Sequence, residues 1–452
     1  MTAPHYPTTA CAAESQVPGD AAPSEFAWIV NFNNGNSNND HRDNNNRVRA
    51  VRGASRERQG AEWQVALRDL HVAWKAARRQ KAPSTGQLAF DARWADRLLE
   101  LQDQLQASTW SPGPSTCFVA TRPKAREIHA PAFGDRVVHH WLVPQLEAIY
   151  EPAFIHDSYA NRVGKGSHAA VRRLQQFVRQ VHSGQGGGWF LQLDIANFFN
   201  RIHRPTLWAM LKARMERGCL PLPARHAAHA LLRRSPLDAG VHMLCNPAEL
   251  ARVPPHKRLA NAPQGCGIAI GNLSSQFFAN VYLDRLDQFV KHTLKVRRYL
   301  RYVDDFVLMH ESREQLLAWK TAIVDMLARE LRLELKEDAP PRPLGAGIDF
   351  LGYVVRPTHT TVRRRIVAHA RAALAEWEDQ HIRARHIHVT PHQLRDLQAR
   401  AASYAGHLRH ANSYRLRRAL YCRFPWLRTA LIKRRFALRH EGRHFHLRIH
   451  AR

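Results

Sequence analysis

Three aspartates set the terms on which this chain can fold. Asp194 closes the short apolar stretch Trp189-Phe190-Leu191-Gln192-Leu193, and Asp304-Asp305 stands between two apolar runs, Arg298–Tyr302 and Phe306–Met309. Short apolar runs of this kind read as buried strands, and the second pair, with its brief polar connection, reads as a β-hairpin. A carboxylate carried into an apolar layer is costly unless a cation meets it. Adjacent aspartates at one hairpin tip also repel, so one arginine for each is a poor solution. Divalent cations answer the problem better, and hard oxygen donors without a neighbouring Cys or His cluster select Mg²⁺ or Mn²⁺. Two such ions about 4 Å apart would stabilise the attacking and leaving oxygens of an in-line phosphoryl transfer. For Asp304-Asp305 taken alone, the competing reading is a plain polar turn.

Charge points to the partner. The 452 residues hold 67 Lys and Arg against 38 Asp and Glu, a net charge of +29. That surplus calls for a polyanion, nucleic acid before membrane. With 44% hydrophobic and 23% charged residues, wholesale disorder is excluded. No stretch approaches about 18 uninterrupted apolar residues, so no transmembrane helix is expected. The N-terminus lacks a basic segment followed by an apolar run, so no secretory signal is expected either. Six cysteines (Cys11, Cys117, Cys219, Cys245, Cys266 and Cys422) lie far apart with no Cys-x-x-Cys pair. That spacing argues against a disulfide framework or a zinc ribbon and suits a reducing cytoplasm.

Along the chain, residues 1–60 read as a disordered leader in which nine of the sixteen residues from Asn31 to Asn46 are Asn. Helical periodicity begins near Glu62 and runs to Trp74, and a second helix covers about Asp91 to Leu105. Cys117–Ile128 reads as a hairpin, Asp135 opens a helix through Leu146, and His168 to Val181 forms a basic helix. The segment 201–260 reads as mainly helical, Ser274 or Ser275 as the cap of a long helix, Arg313 to Leu331 as another helix, and Ile348 to Val355 as a strand. From residue 361 onward, 21 Lys and Arg face five acidic residues, with eleven His. The His440, His444, His446 and His450 cluster has no Cys partner, so solvated, RNA-contacting histidines are favoured over a metal site.

Asp194-Ile195-Ala196-Asn197-Phe198-Phe199 and Tyr302-Val303-Asp304-Asp305-Phe306, in that order with a helix between, resemble the catalytic core of the reverse transcriptase family. The resemblance spans roughly residues 62–430. It implies an α+β right-hand polymerase, with fingers over 61–185, a palm over 186–360 that holds the helical insert 201–260, and a basic α-helical thumb over 361–452. It also implies RNA-directed DNA synthesis with a pair of Mg²⁺ ions (Mn²⁺ as an alternative) at Asp194, Ile195, Asp304 and Asp305. Arg122 to Ile128 and Asp135 to Val138 resemble the first fingers motif, which makes Lys124 and Arg126 candidates for the triphosphate of an incoming dNTP, where an arginine fork suits phosphate oxygens. A solvated basic hairpin is the bland alternative. Ser158 to Arg162 with Gly164 and Gly166 resembles the second fingers motif, where glycine lets backbone approach nucleic acid. Phe199 matches the family's steric gate against a ribose 2′-OH, and Leu351-Gly352-Tyr353 resembles the primer grip. Ser403 to Tyr414 resembles the thumb, and the family's Lys after the Leu-x-Leu-x-Leu strand falls on Ala339, with Lys336 as its possible substitute.

The palm-helix motif separates branches of the family. Ile270-Gly271-Asn272-Leu273-Ser274-Ser275-Gln276 carries Ile where intron-type enzymes carry Gln, and Gln276 where they carry Pro. This form resembles the reverse transcriptases of diversity-generating retroelements, which copy a template-repeat RNA with errors at adenines. Ile270, Gly271 and Gln276 therefore join Ile195 around the dNTP. A hydrogen bond lost at Ile270 is worth about 1–3 kcal/mol, enough to relax discrimination roughly 10- to 100-fold. Residues 26–52 resemble a variable lectin-like segment, so the Asn-rich leader is either a translated template repeat or an unrelated flexible tail. The resemblance further implies template RNA, an RNA/DNA hybrid and a small basic accessory protein as partners, in the cytoplasm of a bacterial or phage-encoded system and with no membrane. Rival readings are a maturase or phage-defence reverse transcriptase and an inactive RNA-binding scaffold. For the intron version, extensions after the thumb would be expected.

Overall fold

The computed structural model describes residues 64–79, 82–121, 124–185, 187–383, 386–427 and 445–448. The Asn-rich leader, Arg122, His440, His444 and His450 lie outside them.

The chain opens with three helices, α1 (Leu67–Arg78), α2 (Thr85–Ala92) and α3 (Trp94–Gln106). The second expected helix is α3, and the unexpected α2 precedes it, capped by the Ser84 side chain and separated from α3 by a backbone break at Arg93. Strands β1 (Ser115–Ala120) and β2 (Arg126–Ala130) form the expected hairpin, followed by α4 (Phe133–Tyr150) and α5 (Ser167–Gln185). Then come β3 (Trp189–Asp194), α6 (Phe198–Arg201), α7 (Arg204–Arg217), α8 (Leu222–Arg233), β4 (Val241–Met243) and α9 (Pro247–Ala251). The insert is helical as expected except for β4, which runs parallel to β1 and extends the hairpin into a three-stranded sheet.

The long helix α10 (Leu273–Gln288) continues as a π-helical turn to Thr293 and leads to β5 (Tyr299–Tyr302) and β6 (Asp305–His310). Ser274 and Ser275 do not cap it: the flanking residue is Asn272, and both serines are buried within the helix. After α11 (Arg313–Met326) and β7 (Arg342–Pro343), the central sheet has the order β5-β6-β3-β7. Ile348 to Val355 is a hairpin rather than one strand, β8 (Ile348–Phe350) and β9 (Tyr353–Val355), and β10 (Thr360–Val362) completes its sheet. The basic C-terminal part holds β11 (Ile382–Arg383) and β12 (His386–Val389) between the helices α12 (Arg364–His381) and α13 (Pro391–Leu408), then α14 (Tyr414–Arg423). Strand β13 (Phe445–Arg448) pairs with β12, so a small sheet supplements the helices expected there. The fold is α+β.

One apolar core joins α1, α3, α4 and α7 to α10 and to one face of the central sheet, and a second lies between α5, the other face and β8–β9. Buried within this apolar packing is an ion pair: both side chains of Arg301 and Asp287 are fully buried, and their closest N–O distance is 2.6 Å. Arg301 Nε also donates to Asp287 Oδ1 (2.8 Å), its Nη2 to Ser158 Oγ (3.1 Å) and its Nη1 to the carbonyl of Val303 (2.9 Å). Tyr299 Oη donates to Asp287 Oδ1 at 2.7 Å. Every charged atom is met, which is the condition for burying charge at all.

A stack of rings ties α5 to the C-terminal part. His168 lies 3.8 Å from His410 between ring centroids, and Tyr353 stacks on His407 at 4.3 Å. Burial, then His410 and His407, hold the His168 imidazole down to about 4 from 6.5.

Two outcomes are expected. Asp287→Ala strands a buried guanidinium and should lower unfolding free energy by about 3–5 kcal/mol in urea denaturation, whereas replacing both partners with apolar residues recovers most of that loss. Because the His168 pKa falls on folding, the unfolded chain takes up the proton first. The stack therefore stabilises the fold at neutral pH and fades as pH drops from about 6.5 toward 4. Thermal melts near pH 7 and near pH 5 should show this loss, and His168→Phe should flatten it.

Candidate active site

The antiparallel pairing of β3 with β6 sets Asp194 directly opposite Asp305, and β5–β6 pairing sets Tyr302 opposite Asp305. Only Val303 and Asp304 remain to turn the chain. Val303 adopts φ 57°, a left-handed conformation that is uncommon for a β-branched residue. The Arg301 guanidinium holds the carbonyl of this strained residue, so the buried ion pair fixes the turn that presents Asp304.

The three carboxylates share one electrostatic environment. Burial, then the charge of Asp194, pushes the Asp304 carboxyl up to about 6, against the opposing pull of Arg126 and Arg301. Burial likewise pushes Asp305 up to about 7; Gln192 works the other way, and Asp194, Asp304 and Asp349 add to the rise. Gln192 Nε2 donates to both Asp305 oxygens, at 3.1 and 3.3 Å, and to the carbonyl of Asp349 at 3.1 Å. Lys336 Nζ stands 3.4 Å from Asp194 Oδ2, and the nearby carboxylate raises its pKa. The protein's own cations thus leave Asp304 and Asp305 under-neutralised. Oxygen donors in that condition fit Mg²⁺ or Mn²⁺, with Asp194, Asp304 and Asp305 as the residues that could hold it.

A short backbone bridge faces this triad. Ile268 N donates to the carbonyl of Phe199 (3.0 Å), and His129 N donates to the carbonyl of Ile270 (3.3 Å). Residues 268–271 therefore span from α6 to the β1–β2 hairpin that carries Arg126. Gly271, at φ 113°, lies against Ile128, and a Cβ there would come within 2.9 Å of Ile128 Cγ2. Phe199 and Ile270 are partly exposed, and Gln276 likewise, in the first turn of α10. Arg126 and Lys124 are exposed, and the charge of Arg126 reaches Asp304.

Other expected residues stand differently. Ile195 is buried in the main core, so its side chain is not presented to the site. Gly164 and Gly166 have positive φ in the loop before α5, which Tyr159 N ties to the carbonyl of Arg301 (3.0 Å). Leu351 and Gly352 form the β8–β9 turn, also at positive φ. Tyr353 is fully buried, and its hydroxyl donates to the carbonyl of His407 at 2.9 Å, so its ring packs against α13 rather than facing outward. Near Ala339 the ammonium present is that of Lys320, which reaches its carbonyl at 2.7 Å. Sequence reasoning did not find Arg301, Asp287 or Gln192. An arginine inside a strand otherwise apolar was the available signal for the first.

Comparison with known proteins agrees with the chemistry of the triad. Residues 120–338 match the family model of reverse transcriptase (RNA-dependent DNA polymerase). The chain is 22% identical over 341 residues to Protein YkfC of Escherichia coli, covering 67% of this chain and 81% of that protein. It is 24% identical over 343 residues to the group II intron-encoded protein LtrA of Lactococcus lactis, covering 60% of this chain and 51% of LtrA. A solved structure of apo telomerase from Candida tropicalis aligns with a TM-score of 0.39 and 12% identity over 56% of each chain. Among the described residues, no helix is long and apolar enough to cross a membrane. Asp194, Asp304 and Asp305 all fall inside the span that matches the reverse transcriptase model.

Proposed function

We propose that this chain copies a template-repeat RNA into DNA as the polymerase of a diversity-generating retroelement. The observation that carries the polymerase chemistry is the opposition of Asp194 and Asp305 across β3–β6, with Asp304 at the adjoining turn. Asp194, Asp304 and Asp305 would hold the metal ions, which supply the charge that the attacking 3′-oxygen and the departing pyrophosphate require. Arg126 and Lys124 bind the triphosphate, Phe199 excludes the ribose 2′-OH, and Ile270 with Gly271 and Gln276 lines the nascent base pair. Lys336, beside Asp194, is the proton donor for departing pyrophosphate in place of the missing Lys at Ala339. The fingers, palm and thumb correspond to residues 61–185, 186–360 and 361–452. Gly164, Gly166, Leu351 and Gly352 lie along primer and template, and a basic accessory protein joins the complex through shared RNA. The +29 charge suits such partners, whose affinity would fall steeply with salt.

The diversity-generating reading is supported by Ile270 on the backbone bridge between Phe199 and the β1–β2 hairpin. An apolar side chain there offers shape without a hydrogen bond. The similarity to LtrA, of which the chain spans about half the length, favours an intron-type enzyme as the second reading.

Primer extension on an RNA template should fall at least about a thousandfold in Asp304→Ala, the equivalent of about 4 kcal/mol of transition-state stabilisation. Extension retained in Asp304→Ala would remove Asp304 from the chemistry, and no extension by the wild type would leave only the RNA-binding scaffold. In sequenced cDNA, Ile270→Gln should lower misincorporation opposite template adenine roughly 10- to 100-fold. An unchanged, low error rate in both proteins would favour the intron-type reading.

A further inference from the structure

The face of the β1–β2 hairpin turned away from the aspartates carries a second cluster. Strand alternation puts Arg126 and Ile128 on one side and Glu127 and His129 on the other, and Cys117 is the register partner of His129. All three are buried, with ligand atoms within 4.8 Å of one another. Cys117 Sγ lies 3.9 Å from Glu127 Oε1, and His129 Nε2 lies 3.2 Å from the same oxygen. Yet the buried His129 Nε2 makes no hydrogen bond of acceptable geometry. Its ring faces a carboxylate without the alignment that a shared proton needs.

A fourth donor adjoins them. Strand β4 runs beside β1 with Met243 opposite Cys117, and Leu244 N donates to the Cys117 carbonyl at 2.8 Å. Cys245 follows directly, partly exposed, and its thiol acts electrostatically on that of Cys117. We propose that Cys117, Glu127, His129 and Cys245 are the ligands of one structural zinc ion that locks the β1–β2 hairpin to the segment after β4.

Distances support the assignment. Zinc bonds of about 2.3 Å to sulfur and about 2.0–2.2 Å to nitrogen and oxygen put tetrahedral ligand atoms about 3.4–3.8 Å apart. The separations of 3.2 and 3.9 Å straddle that range, so small side-chain rotations close the site. Thiolate and imidazole donors select zinc over the Mg²⁺ suited to the all-oxygen triad. The outer partners are also in place. Ser115 Oγ lies 3.4 Å from His129 Nδ1, and Leu259 N donates to Glu127 Oε2 at 2.6 Å. Such contacts orient ligands in zinc sites generally. Arg258, whose charge acts on Glu127, balances the net negative charge of two thiolates and a carboxylate around a dication. Each thiol releases its proton to solvent as the metal binds.

The segment thus anchored leads directly to the bridge at 268–271. Zinc there would hold the nucleotide-facing hairpin from behind, outside the reacting atoms.

The test is metal content of the full chain, purified without chelator and analysed by plasma mass spectrometry. About one zinc per chain is expected in the wild type and in Asp304→Ala, and close to none in Cys117→Ser or His129→Gln. Equal zinc in all four proteins would assign the metal elsewhere, for example to the C-terminal histidines, and overturn the proposal. Because the buried variants can fail to fold, cobalt titration of the wild type gives an independent readout. A thiolate-to-cobalt charge-transfer band with tetrahedral d–d absorption is expected. Its absence, or a Cys117–Cys245 disulfide in the peptide map of the native protein, would overturn the assignment.

Discussion

The buried pair of Arg301 and Asp287 is the interaction on which the rest of the centre depends. Moving two ions out of water costs several kcal/mol each, and the cost is offset only when geometry is good and every donor is met. Here the guanidinium is shared among Asp287, Ser158, Asn280 and the carbonyl of Val303. These partners belong to the helix before the hairpin, the loop before α5 and the turn itself. One planar side chain with fixed donor directions therefore sets the relative positions of three segments, which an apolar residue of equal volume could not do. The strained φ of Val303 persists because that network over-determines it.

Two neighbouring sets of carboxylates meet opposite fates in this design. Asp287 is neutralised by a guanidinium the chain supplies. Asp304 and Asp305, a few residues along the same hairpin from Arg301, are pushed up to about 6 and about 7 because the chain supplies too little. A polypeptide with 67 basic residues has no shortage of cations, so their scarcity at this one place is a local property of the fold. What remains is a pair of under-neutralised carboxylates beside Asp194. Charge that arrives with a metal can be bound or released with substrate, whereas a fixed arginine cannot.

How much of this could be read from the sequence follows from the range of each interaction. The strands around Asp194 and Asp304-Asp305 were legible because burial and strand pairing impose a local apolar pattern. The placing of Arg126 within reach of Asp304 came through resemblance to a family, with no local pattern to give it. Arg301 as the partner of Asp287 was not legible, since nothing in a fourteen-residue separation distinguishes that pairing from a solvated arginine. The cap of α10 failed for a related reason: Ser274 and Ser275 have cap chemistry, but tertiary packing turned them inward and started the helix beyond Asn272. Widely spaced cysteines without a Cys-x-x-Cys motif argued against a metal site. Parallel pairing of β4 with β1 brings Cys245 to Cys117 across more than a hundred residues, and that pairing leaves no trace in local spacing.

The β1–β2 hairpin shows what such long-range pairing achieves. Its alternation divides one five-residue strand between two faces, with Arg126 and Ile128 on one and Glu127 and His129 toward the buried cluster on the other. Ile128 packs against Gly271, where any Cβ would collide, so the bridge that carries Ile270 is held at a fixed height over the hairpin. Leu259, anchored by Glu127, and Ile268, anchored by Phe199, stand at either end of the intervening loop. A change on the rear face of the hairpin is thereby transmitted through two or three backbone contacts to the bridge at 268–271. Where Ile270 stands is then a property of how firmly the bridge is held as much as of the side chain itself.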